Sequence, residues 1–421
     1  MLRLRPNPFR PDKPITDFDL FAGRLKELNV LVEALYQAGH GNPRHMIITG
    51  PRGIGKSSFV NQLQSITDDS KLVLDKLEIQ TDDFNFNFAI FKHRAVEGES
   101  VGQVVSSLLG KMPTKISREN ALSLLKDFVD RWKPSVSVGG MVELEYQADV
   151  VSNLSSDFVK TVRNLWLAEK DNLDGIAFVI DEVDTIAGKT NIASFLKVTT
   201  EELIESGLDK VAVFLVGITG AMDKLKDDHL SVARIFETIE LLPLKDDEVK
   251  DVISRTLHGT GTIMEEEVQN RIVQIAGGFP SPIHQLGYHA FKIDIDSNIG
   301  KDDFEVAIDE MISRIKREEL SKLLRKAGSG DYRRIMIAMA KHDTIDVPLS
   351  DISKLIDRST SNMSSYMKAL ENREIITKVD RALYRITDPL LRLYIRKLDI
   401  LEPELSYEDL SEPEQEDLSS E

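Results

Sequence analysis

The sequence predicts an α/β protein: a parallel-sheet domain built around a phosphate loop, then a helical lid, then a C-terminal winged helix-turn-helix. Three observations carry this. Near-continuous apolar runs at 46–50 (MIITG), 175–181 (GIAFVID) and 211–217 (VAVFLVG) alternate with helical patterns, as in a sheet whose strands are covered on both faces. The first of them runs straight into a glycine-rich turn and a helical pattern. The segment 331–397 then reads as three short helices followed by a strand pair.

In chain order, the prolines Pro6, Pro8, Pro11 and Pro14 predict an extended arm over residues 1–20, because each fixes its own φ and restricts the residue before it. Leu25, Leu28, Leu31 and Leu35 recur at helical spacing, and Gly39 and Gly41 end that helix. A further strand is expected at 71–79 (KLVLDKLEI), and Phe84, Phe86 and Phe88 alternate with Asn85 and Asn87 as one face of a strand would. Residues 113–150 read as an insertion, with a helix over 119–131 and a β-hairpin around Gly139-Gly140. From 245 to about 327 the pattern is helical, with Val249, Val252, Ile253, Leu257, Val268, Ile272 and Ile275 on the apolar faces. The expected domains are thus 21–244, 245–327 and 328–398. Residues 399–421 carry ten acids and no Lys or Arg, the composition of a disordered acidic tail.

The chain of 421 residues has a formal net charge of −17. That charge disfavours attraction of the whole surface to nucleic acid or anionic lipid, so any basic site must be local. The absence of cysteine excludes disulfides, thiolate catalysis and Cys-ligated metals and is compatible with a reducing cytosol. No apolar run approaches the roughly 18 residues that span a bilayer, and the basic start lacks an apolar signal core. A cytoplasmic protein without a membrane partner is expected. The eight histidines show no metal-ligand spacing, and His284 is a candidate either for the nucleotide pocket or for packing.

Two motifs carry chemistry. Gly50-Pro51-Arg52-Gly53-Ile54-Gly55-Lys56-Ser57 fits G-x-x-x-x-G-K-[ST] between a strand and a helix. Glycines let the backbone wrap an anion so that N–H groups and the helix N-terminus face phosphates, with Ser58 extending that turn. Lys56 would add charge at the β- and γ-phosphates of ATP, and the Ser57 hydroxyl would ligate Mg²⁺. The second motif is the strand end Asp181-Glu182-Val183-Asp184, which puts acids at the C-terminal edge of the sheet, where open α/β folds bind ligands. Asp181 is the candidate metal partner and Glu182 the candidate base for an attacking water.

With these motifs in this order, the chain resembles AAA+ ATPases of the origin-recognition initiator type and the related archaeal ATPase/STAND-like group, over roughly residues 5–397. The resemblance implies that NPF (7–9) and FAGR (21–24) form the entry motif, with Phe21, Gly23 and Arg24 near the adenine. Thr219, in GITG after the 211–217 run, would be sensor 1. SVARIFETIELLPL (231–244) is similar to the segment carrying an arginine finger, here Arg234, which implies a homo-oligomer. The chain departs from the initiator pattern at GGFPSPIHQLG (277–287), where Gly278 and Pro280 would pack near the adenine in place of a sensor-2 arginine.

Residues 331–397 hold 13 Lys and Arg against nine Asp and Glu, reversing the overall sign. The third helix, carrying Ser361, Asn362, Ser364, Ser365 and Lys368, is the candidate recognition helix, and Arg381 marks the wing tip; duplex DNA is the expected partner. The alternative is a STAND-like signalling switch whose winged helix meets a protein effector.

Overall fold

The computed structural model describes residues 5–82, 84–116, 118–132 and 144–397. The hairpin expected around Gly139-Gly140 and the acidic tail lie outside the described residues. Five strands, β1 (His45–Thr49), β2 (Phe88–Arg94), β3 (Gly175–Asp181), β4 (Val211–Gly217) and β5 (Phe236–Glu240), form a sheet in the order β2-β3-β4-β1-β5. All four pairings are parallel. Every residue of β1, β3 and β4 is buried, which is why these segments read as unbroken apolar runs.

Residues 71–79 do not form the expected strand. Residues 71–77 belong to the helix Ser70–Leu77, which buries Val73, Leu74 and Leu77 and is capped by the Asp69 side chain accepting from Leu72 N at 3.1 Å. The apolar spacing there fits a helix face, and the Asx cap selects it. The edge strand is β2 instead. Phe88 opens it, while Phe86 lies before it at φ +55° and packs with Phe84 at 4.7 Å between ring centroids.

The insertion is part of the core. Helices Arg118–Trp132 and Leu144–Glu169 flank the undescribed stretch, so the second half of the expected hairpin is already helical by Leu144. Phe158 sits 5.0 Å from Phe178 of β3 and 5.8 Å from Phe195, and Leu125, Phe128, Leu154 and Val162 join the same cluster. These helices cover one face of the sheet.

The chain divides into two compact units: Pro14–Leu242, and the described residues of Met1–Lys13 with those of Pro243–Glu421. In the second unit the extended segment 5–10 straps the helix Pro280–Ile293. Asn7 Nδ2 donates to Tyr288 O at 2.8 Å, Arg5 pairs with Asp294 and lies over the Phe291 ring, and Phe9 is fully buried. Gly287 permits this, since a Cβ there would lie 2.3 Å from the Phe9 ring.

Helices Asp246–Leu257, Glu266–Ala276 and Lys301–Glu310 complete that bundle. A small parallel pair, β6 (Ile263–Met264) with β7 (Asn298–Ile299), interrupts the helical pattern. Then follow helices Asp331–Lys341, Leu349–Leu355 and Thr360–Asn372 and strands β8 (Val347–Pro348), β9 (Ile376–Asp380) and β10 (Leu383–Ile386), paired antiparallel as β8-β10-β9. This is the element order of a winged helix-turn-helix. A last helix, Pro389–Arg396, returns to its base, where Arg392 donates to His342 O at 2.6 Å and Arg396 to Ala340 O at 2.6 Å.

Candidate functional site

The loop between β1 and the helix Lys56–Asp68 turns on Gly50, Gly53 and Gly55, at φ +153°, +77° and +95°. L-residues rarely adopt such angles, and at Gly50 a Cβ would also lie 2.9 Å from Leu241 O. Ile54 anchors the loop with no exposed surface. Lys56 Nζ folds back to donate to Gly50 O at 2.7 Å and Pro51 O at 2.9 Å. Burial lowers its pKa to about 8, opposed by the carboxylates of Asp184, Asp181 and Glu182. The N–H groups at the start of this helix have no intrahelical acceptors, so positive charge and backbone donors converge on the glycine turn.

At the C-terminal end of β3, Asp181 is almost fully buried and its Oδ2 accepts from Ser57 Oγ at 3.0 Å. A hydroxyl and a carboxylate in contact beside a glycine cradle fit a Mg²⁺–nucleotide, since both oxygens are hard ligands. Glu182 stands at φ +58°, and its carboxylate is held by Arg94 from the end of β2.

Asp184, which the sequence shows only as one acid in a run, is buried, and its Oδ1 accepts from Ile218 N at 2.9 Å. It thereby ties the turn after β4, on which Thr219 is exposed, to the acidic strand end. Composition cannot say which acid in a run bonds a neighbouring strand.

The FAGR segment meets the same loop. Gly23 and Arg24 have φ +71° and +61°, Arg24 is buried and donates to Ile54 O at 2.7 Å, and Phe21 lies 6.4 Å from Phe59, ring to ring. Ser58 is already engaged, its Oγ accepting from Ile15 N at 3.0 Å. Arg52 is exposed on the loop, and Pro51 is half-buried. Arg234 is exposed in the four-residue helix Val232–Ile235 that leads into β5.

The first unit therefore brings together Phe21, Gly23, Arg24, residues 50–58, Asp181 and Glu182. Gly278 and Pro280 belong to the second unit. Gly278, at φ +80°, accepts from Leu244 N at 2.9 Å and leaves no room for a side chain; Pro280 starts the helix that the N-terminal strap covers. His284 is buried on that helix, 6.0 Å from Phe9 ring to ring, and burial lowers its pKa to about 4.

In the helix Thr360–Asn372, Met363, Met367 and Leu370 pack inward, whereas Ser361, Asn362, Ser364, Ser365 and Lys368 are all exposed. Arg381 is exposed at the turn between β9 and β10, beside Ala382 at φ +57°.

Residues 20–205 match the family model of the AAA ATPase domain. An uncharacterized HTH-type transcriptional regulator of Methanocaldococcus jannaschii is 26% identical over 322 residues, spanning 74% of this chain and 73% of the relative. A Walker-type ATPase of Pyrococcus abyssi superposes with a TM-score of 0.52 at 14% identity, over 91% of this chain and 99% of that one. The ORC2 protein of Aeropyrum pernix, solved in ADPNP and ADP complexes, gives 0.51 at 13% identity, over 94% and 97%. These two share the fold. Residues 20–205, which carry the glycine loop, the Ser57–Asp181 contact and Glu182, are thus similar to AAA ATPase domains.

Proposed function

We propose that the chain binds ATP with Mg²⁺ at the loop 50–57, hydrolyses it, and uses the nucleotide state to control engagement of duplex DNA. The observation that carries this is the Ser57–Asp181 contact at 3.0 Å beside three left-handed glycines. Loop amides and Lys56 bind the β- and γ-phosphates, and Ser57 and Asp181 hold the metal. Mg²⁺ supplies neutralisation of phosphate charge when bound. Glu182 accepts the proton of the attacking water, with Thr219 as the candidate polar group beside that water. Phe21, Gly23 and Arg24 support the loop, as Gly278 and Pro280 support the lid. Arg234 makes no ion pair among the described residues, which suits a finger offered to a neighbouring copy.

Arg94 holds the Glu182 carboxylate in this arrangement and so occupies an oxygen that would otherwise be free for the attacking water. Arg94→Ala should therefore raise basal turnover about 2–5-fold, because general-base strength follows the freedom of the carboxylate, with the KM for ATP unchanged. Steady-state phosphate release decides it, and a fall in kcat would make Arg94 part of the reaction instead.

Support for DNA comes from the local positive charge of 331–397 and the exposed polar face of Thr360–Asn372. Full-length protein should bind duplex DNA with an affinity that falls steeply between about 50 and 200 mM salt. Lys368→Ala combined with Arg381→Ala should flatten the salt slope by about 2. Fluorescence anisotropy at several salt concentrations measures both.

A second reading is a signalling switch that contacts a protein effector. It is favoured by the same helix face, which offers serines, an asparagine and a single lysine but no arginine. Absence of DNA binding even at low salt selects this reading.

A further inference from the structure

Lys92 lies on β2 two residues before Arg94, and the parallel register sets Arg94 opposite Asp181 and Lys92 opposite Val179. Strand alternation puts Lys92 and Arg94 on one face of the sheet. Lys92 reaches the helix Lys56–Asp68, where its Nζ donates to Asn61 Oδ1 at 2.7 Å. Ser57 and Asn61 are one turn apart on that helix and share a face. Two polar links therefore run side by side between helix and sheet, Ser57 to Asp181 and Asn61 to Lys92. Asn61 is itself oriented, its Nδ2 donating to Ile15 O at 3.3 Å.

The Lys92 ammonium is half-buried and has no carboxylate at ion-pair distance among the described residues. Burial pulls its pKa down, Asp181 alone among the acids opposes that shift, and Lys111 and Arg94 add to it. Arg94 is engaged by Glu182. A partly desolvated cation without an adjacent anion is costly, and an anion seated in the glycine cradle would complement it.

We propose that Lys92 is a charge-setting, positioning residue of the phosphate site, favouring the bare polyphosphate and opposing a lone divalent cation at Ser57 and Asp181. Metal then binds firmly only together with the nucleotide. The inference rests on the reading that residues 50–57 bind ATP. Asn61 holds the ammonium in place, so the charge is fixed and not merely present on a mobile side chain.

The test is the affinity of the full-length chain for a fluorescent ATP analogue, measured in EDTA and then as Mg²⁺ is titrated in. In Lys92→Met, affinity in EDTA should fall about tenfold, equivalent to ~1.4 kcal/mol, while the half-saturating Mg²⁺ concentration should also fall, roughly 3–10-fold, because the competing charge is gone. Lys92→Arg should keep both values near wild type. The signature is weaker metal-free binding together with tighter metal binding, which a merely structural lysine cannot produce. Should Lys92→Met fail to fold, Lys92→Gln makes the same comparison. Unchanged values, or weaker binding under both conditions, would overturn the role of Lys92 while leaving the nucleotide site standing. Failure of the wild type to bind the analogue at all would overturn both.

Discussion

Arg234→Ala protein should release phosphate on the order of 10³–10⁵-fold more slowly than wild type, with its affinity for ATP nearly unchanged. Hydrolysis builds negative charge on the γ-phosphate oxygens, and the cations assignable to that charge from one copy are Lys56 and the metal. Lys56 is already engaged with the Gly50 and Pro51 carbonyls of the loop. Arg24 is turned to the Ile54 carbonyl and Arg94 to Glu182, so neither is aimed at the transferred group. Arg234 is exposed and sits in a short helix at the entry to β5, where a second copy can use it. Wild-type activity per chain should rise with protein concentration. Mixing Arg234→Ala with Lys56→Ala should restore part of the activity, because an intact pocket can then receive a finger from a copy whose own pocket is dead. Phosphate release from the mixture, set against each variant alone, measures this. Turnover independent of concentration, with no recovery on mixing, would leave Arg234 a surface residue.

The second large effect separates binding from chemistry. Lys56→Ala should lose nucleotide binding, because the ammonium folded over the Gly50 and Pro51 carbonyls of the glycine loop disappears. Glu182→Gln should keep ATP affinity within about twofold and lose roughly 10²–10⁴ in kcat, the usual worth of a general base. Glutamine conserves shape, and the cradle of amides, Ser57 and Asp181 is untouched. Equilibrium binding and steady-state rates on the same preparations check the split. A Glu182→Gln variant that turns over at the wild-type rate would remove Glu182 from the reaction and direct attention to Asp184, the buried acid beside it.

How far the sequence alone reaches is clear from particular segments. The runs at 46–50, 175–181 and 211–217 are seen as β1, β3 and β4 within a residue or so, because strands buried on both faces leave a pattern that nothing else of that length imitates. The glycine loop is legible for a related reason: three left-handed positions before a helix require glycine itself.

Residues 71–79 misled because apolar residues two and three apart suit either period over a short run, and the deciding contact is a single Asp69 cap. The strand face expected over Phe84–Phe88 lies too early in the chain, since Phe84 and Phe86 continue the alternating pattern of β2 back into a turn. The covering helices Arg118–Trp132 and Leu144–Glu169 overlap the stretch 113–150 that reads as an insertion, for nothing local says that Phe158 packs at a tilt against Phe178. Pairings such as Arg24 with Ile54, Arg94 with Glu182 and Asn61 with Lys92 join residues 30 to 88 positions apart, and without a fold there is no reason to connect them. The strap of residues 5–10 was visible as extended chain, but its partner, the helix at 280–293, was not.

If ATP is held by residues 50–57 and cleaved with the help of Glu182, the nucleotide left on the protein reports it. The most direct measurement is the identity of the nucleotide retained by purified full-length protein after incubation with ATP and Mg²⁺. Wild type should retain mainly ADP, Glu182→Gln mainly intact ATP, and Lys56→Ala neither. Intact ATP alone on the wild type, or the same proportion of ADP on wild type and Glu182→Gln, would contradict the account.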